Sequence, residues 1–206
     1  MDNLEATLAT KTQGIYNRHG QQFDTERSKS LFERKWLKRF EALIKPKAHI
    51  LDAGCGAGEP IAQYFIEKGH ELTGVDFSNT MINIAKQRFP QNDWHILDMR
   101  ELQFDKRFDG IIGWHSFFHL TANDQRTTLN RFAVHLVNGG ALMLTVGPKS
   151  GEEVGHVCGD QIYHASLSPK EYSDILQTHN MQIVEFVAED PECDYATVLL
   201  AQKSNT

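Results

Sequence analysis

Residues 49–58 read His49-Ile50-Leu51-Asp52-Ala53-Gly54-Cys55-Gly56-Ala57-Gly58, and residues 74–76 read Gly74-Val75-Asp76. This pattern predicts an apolar strand, a turn with glycines at alternate positions, a helix, and a second strand that ends in a carboxylate. Glycine permits positive φ and lets the turn amides approach a ligand, while a carboxylate at the tip of the second strand suits the hydroxyls of a ribose. The sequence therefore predicts a crevice that binds a nucleoside.

The glycine spacing separates two kinds of nucleoside cofactor. A dinucleotide turn reads G-x-G-x-x-G, which from Gly54 would place its third glycine where this chain has Glu59. The observed D-x-G-x-G-x-G, which begins at Asp52, resembles the S-adenosylmethionine site of class I methyltransferases. Carboxylates near the turn favour a ligand with an ammonium and a sulfonium over one with two phosphates. A nicotinamide-dependent Rossmann oxidoreductase stays as an alternative, as does a non-catalytic module of methyltransferase fold.

Size, charge and cysteine content narrow the class of protein. A chain of 206 residues suits one α/β domain, and a net charge of −6 argues against a nucleic-acid surface, which needs clustered Lys and Arg. We expect a small-molecule partner. Cys55, Cys158 and Cys193 lack the spacing of a metal site and predict free thiols in a reducing cytosol. With no secretory start and no long apolar run, we expect a cytoplasmic protein without a membrane partner; monomer and homodimer both stay open.

Strands and helices alternate after Pro46, which is typical of a parallel sheet with crossover helices. The last two predicted strands are joined by about nine residues, too few for a crossover helix, and should be antiparallel. The order resembles the class I methyltransferase topology over about residues 46–203. This resemblance implies a doubly wound α/β fold: a seven-stranded, mostly parallel sheet with an antiparallel terminal strand in a three-layer αβα arrangement.

The amino-terminal segment is predicted to be helical. Phe32, Trp36 and Phe40 recur at four-residue spacing, which predicts one amphipathic helix over residues 24–44. We expect residues 1–45 to form a helical lid that belongs to the same domain, and residues 46–206 to form the cofactor-binding core.

Ligands of an open parallel sheet bind beyond the carboxyl ends of its strands, so the residues that follow each strand are the candidates for the site. The predicted cofactor-binding set is Asp52, Ala53, Gly54, Cys55, Gly56, Asp76, Phe77, Ser78, Asp98, Met99 and Trp114. The family resemblance implies that Gly54 and Gly56 face the methionine portion and that Asp76 accepts from the ribose hydroxyls. It further implies that Asp98 accepts from the adenine amino group, that Phe77 and Met99 sandwich the ring, and that the Trp114 carbonyl receives the ammonium.

Methyl transfer from a sulfonium is an in-line displacement in which the protein chiefly positions the acceptor and excludes water. His115 and His119, just past the fourth strand, are the candidates for a general base. Three segments that a core does not explain, residues 12–24, 147–167 and 188–195, are expected to contact the acceptor. Their candidate substrate residues are Tyr16, His19, His156 and Tyr163. The acceptor itself is expected to be a small molecule.

Overall fold

Alternating strands and helices begin at His49, as the sequence predicts. The computed structural model describes the backbone of residues 2–205 and the side chains of residues 9–205. The helices are α1 (Asp2–Glu26), α2 (Arg34–Glu41), α3 (Ile61–Glu67), α4 (Asn79–Arg88), α5 (Ala122–His135) and α6 (Pro169–Gln177). The strands are β1 (His49–Ala53), β2 (Glu71–Asp76), β3 (Asp93–Ile96), β4 (Phe108–Gly113), β5 (Leu136–Val146), β6 (Gly151–Val157), β7 (Asp160–Ser166), β8 (Met181–Asp190) and β9 (Ala196–Lys203). Short 3₁₀ helices cover Met99–Glu101, Phe117–His119 and Pro191–Cys193.

Seven strands form the central sheet in the order β3-β2-β1-β4-β5-β9-β8. The pairs from β3 to β5 are parallel, whereas β9 runs antiparallel to both of its neighbours, β5 and β8. The predicted fold class is therefore confirmed, and the antiparallel strand lies between β5 and β8. The order reverses between β1 and β4, which is where an open sheet of this kind leaves a crevice at the carboxyl ends of its strands.

Neighbouring residues on each central strand face opposite layers, because side chains alternate along a strand. Ile50 and Ile112 pack with the buried side chains of α2, α3 and α4 on one face of the sheet. Leu51 and Ile111 pack with those of α5 and α6 on the other. Apolar residues at successive positions thus give a sheet that is covered on both faces, as the three-layer prediction requires.

The prediction of one helix over residues 24–44 is wrong. Helix α1 ends at Glu26 and α2 begins at Arg34. Between them Ser30 N donates to Ser28 Oγ, and the two serine hydroxyls contact each other at 2.7 Å. Such local side-chain bonds compete with the helical hydrogen-bond pattern. The intervening residues therefore leave the helix, and Arg27 and Ser28 reach the wall of a cavity.

Residues 147–167, one of the three segments expected to contact the acceptor, contain the β6–β7 hairpin. Its two strands pair in register from Gly151–Ser166 to Val157–Asp160. Cys158 and Gly159 occupy the turn with φ of 49° and 87°, the positive values that a two-residue hairpin turn needs. The hairpin is tied to α1, because Arg18 Nη2 donates to Asp160 Oδ2 at 2.6 Å. Among residues 2–205, none of the helices has the length and apolar character needed to cross a bilayer.

Candidate active site

A cavity of about 410 Å³ lies at the carboxyl ends of the central strands, with α1 and the β6–β7 hairpin contributing to its walls. Its volume falls within the range of about 300–1,000 Å³ that is usual for small-molecule sites. Residues that follow four adjacent strands line it in the order of the sheet: Asp98 after β3, Asp76 and Phe77 at β2, Gly54 and Gly56 after β1, and Trp114 and His115 after β4.

The Asp76 carboxylate organises the turn beside it. Its Oδ2 accepts from the Gly56 amide at 3.0 Å and its Oδ1 accepts from the Ser78 amide at 2.8 Å. The pKa of Asp76 is raised to about 6, chiefly by burial. The charge of Asp98 also raises it, and the two amide hydrogen bonds offset part of this rise. The carboxylate lines the cavity and has further lone pairs for a ligand hydroxyl.

Two glycines of the turn are required for different reasons. Gly54 has a φ of 78°, and a Cβ there would lie 2.2 Å from the Cβ of Ser116. Ser116 in turn donates from Oγ to the Ala53 carbonyl at 2.7 Å, so β4 and the turn are held in close contact. Gly56 has a φ of 52°, and a Cβ there would meet nothing within 4 Å. Gly54 therefore permits close packing, whereas Gly56 leaves its backbone open.

Apolar and charged side chains together form the β2–β3 end of the cavity. Phe77, Leu97 and Met99 line it, as does Asp98. The Asp98 carboxylate caps the following 3₁₀ helix and accepts from Arg100 Nε at 3.0 Å and from Arg100 Nη2 at 2.6 Å. Asp98 is thus in the predicted place, held by a cation that the sequence analysis did not include.

Tyr16, His119 and the Tyr163 carbonyl form a hydrogen-bonded chain at the other end. His119 Nδ1 lies 3.1 Å from Tyr163 O and His119 Nε2 lies 3.2 Å from Tyr16 Oη. A carbonyl only accepts, so Nδ1 carries the proton, and in the neutral ring Nε2 accepts the hydroxyl proton of Tyr16. Burial lowers the pKa of His119 to about 3 and that of His115 to about 4, so both rings are neutral at pH 7.

Ring contacts extend this end into an aromatic wall. The Phe118 and His164 rings lie 4.7 Å apart between centroids, and the His119 and His164 rings 4.9 Å apart. Burial also lowers the pKa of His164. A second cavity of about 310 Å³ shares His115, Phe118, His164 and Asp194 with the first, so the two adjoin at this wall.

Several predicted cofactor residues lie behind the turn and do not line the cavity. Asp52 is 3% exposed, and burial raises its pKa to about 7. Burial also raises the pKa of the Cys55 thiol, whose Sγ contacts the Gly56 carbonyl. Ser78 caps α4 through Met81 N and donates to Asn17 Oδ1. Like Ala53, these residues support the turn on the side that faces away from the cavity.

The four predicted substrate residues divide into two pairs. Tyr16 and His156 line the cavity. His19 instead contacts Asp160 Oδ2 at 3.1 Å, on the outer side of the α1–hairpin contact. Tyr163 is 1% exposed in the core beneath the hairpin and reaches the site only through its carbonyl. Neither the His19 nor the Tyr163 side chain lines this cavity.

Six further residues line the cavity without having been predicted to bind a ligand: Phe23 from α1, Arg27, Ser28 and Phe32 from the segment between α1 and α2, Phe118 from the 3₁₀ helix after β4, and His164 from β7. Apolar spacing over residues 24–44 predicts one helix with a solvated face, which hides Arg27, Ser28 and Phe32. No group of three or more His, Cys, Asp or Glu side chains within the described part of the chain is arranged to hold a metal ion.

Residues 50–140 match the sequence model of a family described as a methyltransferase domain. The seven-stranded sheet has the class I methyltransferase fold. The chain is 39% identical over 82 residues to the Bacillus subtilis protein YqeM, which is named as a methyltransferase; the match covers 38% of this chain and 33% of YqeM. It is 26% identical over 97 residues to the Streptomyces venezuelae dTDP-3-amino-3,4,6-trideoxy-alpha-D-glucopyranose N,N-dimethyltransferase, covering 46% of this chain and 40% of that protein. The matches thus span no more than two fifths of these curated relatives.

Solved methyltransferases share the architecture over nearly the whole chain. The Burkholderia thailandensis 1,6-didemethyltoxoflavin-N1-methyltransferase, solved with 1,6-didemethyltoxoflavin and S-adenosylhomocysteine, has a TM-score of 0.71 and 21% identity. That match covers 98% of this chain and 90% of the other. At this identity the likeness concerns the fold alone.

Proposed function

We propose that this chain is an S-adenosylmethionine-dependent methyltransferase that acts on a small molecule. The observation that carries the proposal is the continuity of one cavity. It joins a ribose-type carboxylate and a glycine turn at one end to a wall of neutral histidines and phenylalanine, bordered by Asp194, at the other. The first end suits a nucleoside cofactor and the second suits an acceptor. The methyltransferase family match and the fold support the same interpretation.

The residues present fit this cofactor. Asp76 would accept from the ribose hydroxyls, and Phe77 and Met99 would contact the two faces of the adenine ring, whose burial between apolar side chains is favourable. Asp98 would accept from the adenine amino group. The open backbone at Gly56 admits the methionine portion, for which the Trp114 carbonyl is the proposed acceptor of the ammonium. The indole Nε1 of Trp114 is buried and has no hydrogen-bond partner in the part of the chain described.

When bound, the cofactor supplies a methyl group on a leaving group that is already activated. The chain's residues would orient the acceptor and exclude water. Because burial keeps the pKa of His115 and His119 far below 7, neither ring is a strong base. We assign His119 a positioning role instead: it holds the Tyr16 hydroxyl, whose oxygen can accept a hydrogen bond from an acceptor N–H or O–H.

Because the acceptor end has no strong base among the histidines, it favours an acceptor that needs none, such as an amine or an acidic hydroxyl. Burial disfavours the charged form of an amine and leaves its nitrogen lone pair free to attack. Relatives named as amino-sugar N,N-dimethyltransferases support an amine acceptor. The wall shared with the second cavity gives the rest of the acceptor a place to extend.

The arrangement of α1 supports a small acceptor over a macromolecule. Helix α1 is tied to the hairpin through Arg18 and Asp160, and to the core because Gln13 Nε2 donates to the Phe77 carbonyl and Thr80 Oγ1 to the Asn17 carbonyl. We propose that α1 acts as the lid of the methyltransferase core. A cytoplasmic location is part of the proposal and is supported by the three free cysteines.

Two measurements test the function. Calorimetry should show that the protein binds S-adenosylhomocysteine and not NAD; the reverse preference would favour the nicotinamide-dependent oxidoreductase. Turnover is then tested with labelled S-adenosylmethionine and a panel of small amines and phenols, with formation of S-adenosylhomocysteine as the readout. Tight cofactor binding with no turnover on any member would favour the non-catalytic module.

A further inference from the structure

We propose that Arg27 binds the carboxylate of the cofactor's methionine portion. This inference rests on the proposed cofactor and adds a residue that lies outside the strand-end motifs. It concerns a cationic side chain that the break between α1 and α2 brings into the cavity wall.

Arg27 lies at the methionine end of the proposed site. Its backbone follows α1 directly, with Arg27 N donating to Phe23 O at 2.8 Å, and its side chain lines the cavity. Its positive charge lowers the pKa of Asp52, at the end of β1, and of His115, just past β4. These two strands are adjacent at the centre of the sheet, on the far side of Asp76 from Asp98.

The guanidinium of Arg27 has donors to spare. Among the residues whose side chains are described, its ion pair is with Glu33: Nη2 lies 3.7 Å from Oε1, which is too long for a hydrogen bond. Glu33 is fully buried with neither carboxylate oxygen hydrogen-bonded in the described residues, and burial raises its pKa, so it is a weak partner. Arg100, the other arginine of the cavity wall, is already occupied by Asp98.

An anionic group at this position needs such a cation. The methionine portion carries an ammonium and a carboxylate, and the carboxylate would otherwise lie among the negative charges of Asp52 and Asp76. A guanidinium presents its N–H groups in a planar fork that matches a carboxylate in two parallel hydrogen bonds. Arg27 is the cavity-lining group that has both this geometry and unused donors.

The experiment is a cycle of two ligands and several variants, measured by calorimetry. The ligands are S-adenosylhomocysteine and its decarboxylated analogue, which keeps the ammonium and the adenosine. The variants are Arg27→Met and Arg27→Lys, with Arg18→Met as the matched control. Arg18 lies on α1, the helix that Arg27 follows, and pairs with Asp160 without lining the cavity.

We expect the wild type to bind S-adenosylhomocysteine at least tenfold more tightly than the decarboxylated analogue, as for the loss of a charged hydrogen-bonded pair. Arg27→Met should remove this preference by weakening only the first ligand, Arg27→Lys should keep part of it, and Arg18→Met should keep all of it. Equal affinity of the wild type for both ligands would overturn the inference even if Arg27→Met fails to fold. An unchanged preference in Arg27→Met would overturn it as well. If the wild type binds neither ligand, the proposed function itself is wrong.

Discussion

Replacing Asp52 with asparagine should make the protein more stable, and the gain should grow with pH. Asp52 is 3% exposed beneath the glycine turn, and burial raises its pKa to about 7. The smaller effects on that pKa are a lowering by the charge of Arg27 and a raising by that of Asp76. Asparagine has nearly the same shape and no charge, so the substitution removes an electrostatic cost with little change in packing.

The sign and size follow from the linkage between protonation and folding. The unfolded chain ionises Asp52 near pH 3.9, whereas the folded chain retains the proton up to a pKa of about 7. Stability from this group is therefore complete below about pH 4 and is lost as the pH rises to 7. Each pH unit in that window is worth about 1.4 kcal/mol, so the advantage of Asp52→Asn should grow by roughly 3 kcal/mol between pH 5 and pH 8.

Thermal unfolding of the ligand-free protein at pH 5 and pH 8 measures this difference. For a domain of this size the extra gain at pH 8 corresponds to roughly 5–10 °C in melting temperature. Asp190→Asn is the matched control, because Asp190 is also buried but accepts from Trp36 Nε1 at 2.8 Å and from Glu192 N at 3.1 Å. Burial would raise the pKa of Asp190, yet these bonds hold it below its usual value, so its loss should destabilise the protein at pH 8. If the advantage of Asp52→Asn is equal at both pH values, the electrostatic reasoning is refuted.

Four further substitutions address the cavity. Gly54→Ala places a Cβ 2.2 Å from Ser116 and should lower stability by at least about 2 kcal/mol in urea unfolding, whereas Gly56→Ala, with open space at its Cβ, should cost about 1 kcal/mol. A smaller loss for Gly54→Ala than for Gly56→Ala would contradict the packing argument. Phe77→Ala should weaken S-adenosylhomocysteine binding about tenfold by calorimetry, and an unchanged affinity would remove Phe77 from the adenine site. Tyr16→Phe should reduce kcat about tenfold or more without changing that affinity; a full-rate variant would show that the Tyr16 hydroxyl has no role at the acceptor.

The cofactor end of the site follows from the sequence because its determinants are local. Gly54, Gly56, Asp76 and Asp98 each lie within a few residues of an apolar strand, and a parallel sheet brings the carboxyl ends of its strands to one edge. Alternation of strand and helix is therefore enough to place these residues together. The same rule does not say which of them face the ligand. Asp52 and Cys55 belong to the same turn as Gly56, yet they point beneath it.

The amino-terminal region and the hairpin were not predicted for a physical reason. Apolar spacing over residues 24–44 suits a helix, but Ser28 and Ser30 hydrogen-bond to each other and α1 ends at Glu26. In the hairpin, Cys158 adopts a φ of 49°, which is unfavourable for a residue with a side chain. The neighbouring Gly159 supplies the second positive φ of the turn. In both places local backbone and hydrogen-bond preferences override the apolar spacing, so the spacing alone does not predict where the helix ends or the chain turns.

The acceptor end is assembled from parts of the chain that are far apart in sequence. Tyr16 comes from α1, His119 from the 3₁₀ helix after β4, and His164 from β7, and the Tyr16–His119 and His119–His164 contacts span 103 and 45 residues. Both α1 and the 3₁₀ helix are anchored on β7, α1 through Asp160 and the 3₁₀ helix through the Tyr163 carbonyl. A change in the hairpin would therefore alter the acceptor wall, while the Asp76 carboxylate keeps its hydrogen bonds to the Gly56 and Ser78 amides. Acceptor specificity can therefore differ between chains that share one cofactor site, and only the three-dimensional meeting of these segments reveals it.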